Sequence, residues 1–244
     1  MKYKDLFIDL DDTLYDTYGN AVIALSETFE DYRLDRYFAD PQVFYNAYWA
    51  ANIDLWGRYS RGEITRDYLI VERFRRPLST GVGLDITAAF CIEMSDCFLD
   101  HCASKSGVQP GAYELMDYLK RRGYRMHMTS NGFHEVQYKK LASCGLRSYF
   151  DTIILSEDAG ANKPSPAFFD YALRQSGAEA ATTLMIGDNL QTDILGAMRA
   201  GLDTLLYNRW NVPADEMFLQ DGLGRAYNSP TYVVASLAEI KKIL

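Results

Sequence analysis

Apolar and polar positions along the chain follow two different rhythms. Near the start, Leu6-Phe7-Ile8 forms an unbroken apolar run that gives way to Asp9-Leu10-Asp11-Asp12-Thr13. A short run of this kind reads as a strand buried on both faces, as parallel strands are. From Pro110-Gly111 onward, helix and strand patterns alternate. Residues 111–122 carry Leu115, Tyr118 and Leu119 at helical spacing and stop at Gly123. Strands are expected at 125–129, 152–155, 184–186, 204–207 and 232–235. Helices are expected at 135–143, 166–175 and from Asp188 to about Ala200, and Ser236 with Glu239 has the spacing of a capping box for the last one. This alternation predicts an α/β fold, a Rossmann-like parallel sheet core with helices on both faces.

Residues 15–108 break that rhythm. Val22, Leu25, Phe29 and Tyr32 share one helical face, and Asp40-Pro41 is an N-cap and N1 pair before Phe44, Tyr45, Tyr48 and Trp49. Thr65 and Asp85 open two further helices. Strand signals are scarce here, so the expected organisation is a core of residues 1–14 and 109–244 interrupted by an inserted all-helical cap of residues 15–108.

Bulk properties narrow the function. The 244 residues are 48% hydrophobic and 24% charged, an ordinary globular composition, and the net charge of −8 argues against a nucleic acid polymer as partner. No apolar stretch reaches the ~20 residues needed to span a bilayer, nor does the N-terminal one suit a signal peptide. The four cysteines (Cys91, Cys97, Cys102 and Cys144) contain no Cys-x-x-Cys pair, so reduced thiols in a cytoplasmic protein without membrane partners are expected. Cys97, His101 and Cys102 share a helix but lack a second pair to complete a soft-metal site.

The candidate chemistry lies in four separated pieces: Asp9/Asp11/Thr13, Ser130/Asn131, Lys163-Pro164, and Gly187-Asp188-Asn189 with Asp193. Each ends or follows a predicted strand, and a parallel sheet brings such ends to one edge. Carboxylates suit a hard cation, the hydroxyl and amides suit oxyanion contacts, and the lysine supplies balancing charge. Several acids at one edge repel one another unless a cation or proton sits among them.

These motifs resemble the haloacid-dehalogenase-like (HAD) superfamily of phosphohydrolases, from Asp9 to the last strand, with the helical insert similar to the cap found after the first strand. The resemblance implies Asp9 as nucleophile, Asp11 as general acid/base, and Ser130 and Lys163 as phosphoryl contacts. It further implies Mg²⁺ as cofactor, held by Asp9, the Asp11 backbone carbonyl and Asp188, with Asp193 steadying its waters or Lys163. Crowding by acidic neighbours is expected to keep Asp11 protonated until it donates to the leaving oxygen. Thr13 is expected to fix the loop, Asn131 to shape its loop or offer a backbone N–H to phosphate, and Asn189 to cap a helix.

Leu55-Trp56, Gly62-Glu63-Ile64-Thr65 and Arg73-Phe74 are similar to the cap of a pyrimidine 5′-nucleotidase subgroup. Ser130-Asn131-Gly132-Phe133 with Glu135 and Gln137, and Asn208 after its strand, point the same way. The expected activity is therefore hydrolysis of a small phosphorylated metabolite, a nucleoside 5′-monophosphate with pyrimidines favoured, through an aspartyl-phosphate, by a monomer or small homo-oligomer. A sugar-phosphate phosphatase fits the same core residues. A phosphomutase would keep both acids, while a non-catalytic binding module would not need them. Asp12 and Asp16 read as solvated loop acids, the cap aromatics as core, and the arginines from Arg58 to Arg76 as a solvated face.

Overall fold

The computed structural model describes residues 2–213, 217, 219–220, 226–227 and 229–244. After β1 (Asp5–Ile8) come four helices, α1 (Thr17–Asp31), α2 (Pro41–Ser60), α3 (Arg66–Leu78) and α4 (Ala88–Ser104). The alternating part follows as α5 (Ala112–Arg122), β2 (Arg125–Ser130), α6 (His134–Ser143), β3 (Thr152–Leu155), α7 (Ser156–Ala159) and α8 (Pro166–Ser176). It continues with β4 (Thr183–Gly187), a wide π-type turn at Leu190–Leu195, α9 (Gly196–Arg199) and β5 (Asp203–Tyr207). Two-residue strands β6 (Leu219–Gln220) and β7 (Ala226–Tyr227) pair antiparallel, and β8 (Tyr232–Val234) precedes α10 (Leu237–Ile240).

The main sheet has six parallel strands in the order β3-β2-β1-β4-β5-β8. Side-chain alternation along β1 feeds both faces. Leu6 and Ile8 join Leu115, Met116 and Leu119 of α5 with Leu237 and Ile240 of α10, whereas Phe7 packs with Phe168 and Phe169 of α8 and Ala197 of α9. Later strands add to one side of the sheet through β2 and β3, then to the other through β4, β5 and β8. The reversal falls between β1 and β4, where open α/β sheets leave a crevice outside the carboxyl ends of their strands.

Several expected boundaries move. The helix expected right after Asp188 begins instead as the π-type turn, and α9 proper spans only four residues. Ser236 Oγ bonds the Glu239 carboxylate at 2.9 Å rather than capping a backbone N–H of α10. Helix α4 starts at Ala88 rather than near Asp85, because the Thr87 hydroxyl accepts from the Phe90 N–H at 3.1 Å.

The chain divides into two compact units, Met1–Thr17 with Ser106–Leu244, and Tyr18–Lys105. The division lies three residues inside the expected insert at each end, after Thr17 and after Lys105, and backbone pairing is the reason. Tyr15 bridges Val108, the Asp16 N–H donates to the Gly107 carbonyl at 3.1 Å, and the Gln109 N–H donates to Leu14 at 2.7 Å.

The second unit has its own core, in which Phe29, Phe44, Tyr48, Phe74 and Phe98 pack together, with Tyr45 and Trp49 half-buried against them. Arg73 departs from the solvated face expected of it. It is 2% exposed, its Nη2 donates to Ser95 Oγ at 2.6 Å, and its guanidinium lies 5.3 Å from the Phe98 ring centroid. No helix among the described residues is long and apolar enough to cross a membrane.

Candidate active site

Parallel pairing carries the first acidic pair to the sheet edge. Asp9 directly follows β1, its N–H continues the ladder to the Ile186 carbonyl at 2.9 Å, and Asp188 follows β4 next door. Thr13, fully buried, ties the two loops together. Its hydroxyl accepts from the Asp188 N–H at 3.1 Å and donates to Asp9 Oδ2 at 3.1 Å, with Asp188 Oδ1 at 3.5 Å. Asp193 is brought in by the turn after β4. Gly187 makes room for it, since a Cβ there would lie 2.3 Å from Asp193 Oδ2.

One ammonium serves this group. Lys163, 2% exposed, donates to Asp9 Oδ1 at 2.7 Å, Asp193 Oδ1 at 2.6 Å and the Thr129 carbonyl at 2.9 Å. Those three acceptors match the three protons of Nζ. Burial works against the Lys163 charge, but Asp193 and Asp9 outweigh it and its pKa is raised. Asp9 is pushed well up by burial; Lys163 opposes the shift, and the charges of Asp193, Asp188 and Asp11 add to it. Asp188 is pushed up to about 7 by burial and by Asp193, against the hydrogen bond from Trp210. Burial is the first cause of both shifts, and the neighbouring acids, Asp193 above all, add to it.

Asp11 sits in the opposite environment. Its Oδ1 accepts from Thr17 Oγ1 at 2.6 Å and Lys140 Nζ at 2.5 Å, and its Oδ2 from Gln137 Nε2 at 2.5 Å, with Ser130 Oγ at 3.5 Å. Burial raises its pKa, but the Lys140 charge and the bonds from Lys140, Thr17 and Gln137 prevail and lower it. This runs against the expectation that acidic neighbours keep Asp11 protonated: its donors lower its pKa despite burial. The sequence reading missed Lys140. Its signal was the Gln137–Lys140 spacing of three, which places both on one face of the helix that follows Ser130.

The remaining expected residues fall as follows. Ser130 ends β2, and its Oγ accepts from the Gly132 N–H and Gln137 Nε2, each at 3.0 Å. The Asn131 side chain clasps the Lys163 backbone, with Oδ1 accepting from its N–H at 2.7 Å and Nδ2 donating to its carbonyl at 2.9 Å. Asn189 caps the turn after β4 by accepting from the Gln191 and Thr192 N–H groups. Asp12 is not a simple solvated acid: it holds φ +60° and pairs with Arg209 at 2.5 Å. The Trp210 indole N–H donates to Asp188 Oδ2 at 2.9 Å, a contact from the segment after β5 that no motif announced.

Asp9, Asp188 and Asp193 each offer a carboxylate oxygen, all within 4.8 Å of one another. Three acids facing one ammonium, all through oxygen, fit a hard divalent cation. Asp193 is the least available, since Oδ1 serves Lys163 and Oδ2 accepts from the Asn189 N–H at 3.2 Å.

A parallel sheet with an aspartate pair after β1, a hydroxyl on the last residue of β2, a buried lysine and a Gly-Asp pair where β4 ends is matched by a class of hydrolase. The family profile described as haloacid dehalogenase-like hydrolase matches residues 3–201, and the chain belongs to that family. It is a HAD-like phosphatase. Over 251 aligned residues it is 32% identical to the pyrimidine 5′-nucleotidase YjjG of Escherichia coli, covering 100% of this chain and 99% of that one. It is also 32% identical to the pyrimidine 5′-nucleotidase PynA of Streptococcus pneumoniae, covering 85% of each. Among solved structures, the magnesium-bound HAD-hydrolase YfnB of Bacillus subtilis matches with a TM-score of 0.85 at 28% identity, covering 100% of this chain and 99% of that one.

Proposed function

We propose that the protein is a Mg²⁺-dependent phosphomonoesterase acting on nucleoside 5′-monophosphates, pyrimidines favoured, through an aspartyl-phosphate on Asp9. The observation that carries this reading is the pair of neighbouring aspartates in opposite surroundings. Asp9 lies among acids with one lysine, and Asp11 is wrapped in donors.

Asp9 and Asp188, with the Asp11 backbone carbonyl, would hold the cation, which when bound offsets the charge between an anionic nucleophile and an anionic phosphoryl group. The chain's own groups carry the rest. An Asp9 carboxylate oxygen forms a bond to phosphorus as the ester P–O bond breaks in line. Asp11, whose donors favour the ionised form in the substrate-free arrangement, takes up a solvent proton as substrate binds and gives that proton to the departing alkoxide. In the second step Asp11 takes a proton from water as that water attacks phosphorus, and the acyl-phosphate P–O bond breaks to release phosphate and free Asp9.

Lys163 and Ser130 are positioned to offset charge on the equatorial oxygens, Lys163 by exchanging one of its present acceptors. Thr13, Asn189 and Asp193 act by holding Asp9, the turn after β4 and Lys163 in place. The substrate class is supported by the two nucleotidase relatives, each aligned over most or all of the chain. The four free cysteines suit a reducing, cytoplasmic setting.

Phosphate release from a panel of pyrimidine and purine 5′-monophosphates, sugar phosphates and small acid phosphates, with Mg²⁺ and then with chelator, tests this. Chelator-sensitive turnover favouring pyrimidine monophosphates is expected. A preference for sugar phosphates would keep the chemistry and overturn the substrate class.

A further inference from the structure

Lys140 takes no part in the steps above, yet it is 6% exposed and its ammonium is bonded to the proposed acid and base. We infer that Lys140, together with Gln137, is a positioning residue that aims the Asp11 carboxylate at the leaving oxygen. The inference rests on the two-step reading of Asp9 and Asp11.

The geometry behind it is local and specific. Helix α6 begins four residues past the end of β2, so its first turns lie over the loop that carries Asp11. Gln137 and Lys140, three residues apart, present both side chains from one face, and each ends on a different oxygen of Asp11. A carboxylate turns broadly about its terminal torsion, and donors on one oxygen alone leave that turn loose. Here Thr17 and Lys140 fix Oδ1 while Gln137 fixes Oδ2, so the plane of the group is set from two sides.

Two further features support this arrangement. A Cβ at Gly132 would lie 1.6 Å from Gln137 Nε2, so the amide reaches Asp11 only because residue 132 carries no side chain. Nζ of Lys140 also lies 5.3 Å from the centroid of the buried Tyr15 ring, which holds the ammonium against the same loop. Lys163, by contrast, is spent on Asp9, Asp193 and Thr129. The two buried lysines thus have separate duties, one to the nucleophile and one to the acid.

An acid that is poorly aimed harms only leaving groups that need its proton. Alkoxide and phenolate departures are helped by proton transfer, whereas p-nitrophenolate leaves without it. The test measures kcat/KM, which reports the step in which the ester bond breaks, on substituted phenyl phosphates from p-nitro to unsubstituted. Wild type, Lys140→Met, Lys140→Gln, Asp11→Asn and the double variant Asp11→Asn/Lys140→Met are compared. The loss on phenyl phosphate divided by the loss on p-nitrophenyl phosphate is independent of the folded fraction of any preparation.

For Lys140→Met that ratio should be at least ~10, in the direction shown by Asp11→Asn, because lost aim outweighs the easier protonation of Asp11 that removal of the ammonium allows, with Lys140→Gln intermediate. In the Asp11→Asn background, removing Lys140 should leave the ratio unchanged, because the two groups act as one unit. A ratio near one for both Lys140 variants, alongside a large ratio for Asp11→Asn, would overturn the positioning role and leave the acid assignment intact. Independent, multiplying losses in the double variant would overturn it as well. A ratio near one for Asp11→Asn would overturn the acid reading itself, and the inference with it.

Discussion

Asp9 and Asp11 are two residues apart in sequence, yet their surroundings differ in kind. Around Asp9, the carboxylates of Asp9 and Asp193 share Lys163 with Asp188 close by, and the carboxyls of Asp9 and Asp188 are pushed upward by burial first, with the charge of Asp193 adding to both. Around Asp11, one carboxylate receives bonds from Lys140, Gln137 and Thr17, and its pKa falls despite burial. The difference teaches where the protein needs help from outside. On the proposed reading, the Asp9 side is where a cation would be held, and the Asp11 side, balanced by donors of the chain itself, is where a proton would be moved.

The comparison can be broken most severely at Asp9. Asp9→Asn removes the nucleophile, and kcat should fall by at least ~10³-fold while the circular dichroism spectrum is kept. Activity within tenfold of wild type would reassign the nucleophile. Next in size is Lys163→Met, which strips the ammonium from the buried pair Asp9 and Asp193. Breaking a buried pair costs about 3–5 kcal/mol, so Tm measured without metal should drop by on the order of 10 °C, and added Mg²⁺ should recover part of it. An unchanged Tm would mean that the acids are not held by Lys163.

A subtler effect concerns pH. Because burial and Asp193 lift Asp188 to about 7 in the metal-free protein, it is largely protonated below that value and must lose its proton to hold a cation. The rise in Tm produced by a fixed Mg²⁺ concentration should therefore be larger at pH 8 than at pH 6, and the reverse order would contradict the assignment. Asn189→Ala should give the smallest change. Losing the two cap bonds to Gln191 and Thr192 costs about 1 kcal/mol, a Tm shift of roughly 2–4 °C, with kcat little altered.

Asp9, Asp188 and Ser130 could be read as strand-end groups because each ends or directly follows an apolar run, whereas Lys163 lies eight residues past β3 with α7 between, and its expected role came from the family resemblance. The sheet core was legible for the same reason, since Leu6-Phe7-Ile8 and Leu184-Met185-Ile186 can only be buried strands in this setting. What escaped notice depends on contacts between distant segments. Lys140 looks like any helix lysine until β2 brings α6 over Asp11, and Trp210 reaches Asp188 only because β5 lies beside β4. Arg73 sat in a run of arginines that reads as surface, yet it fills a space between Ser95 and Phe98. Patterns expose what one element does; they hide side chains whose partner lies far along the chain.

The most direct test of the charge imbalance is a calorimetric titration of Mg²⁺ into the substrate-free protein, wild type against Asp188→Asn. Binding of one Mg²⁺ per chain that weakens at least ~10-fold in the variant is the result predicted by an uncompensated cluster at Asp9 and Asp188. Equal affinity in both proteins, or no binding to wild type, would contradict it.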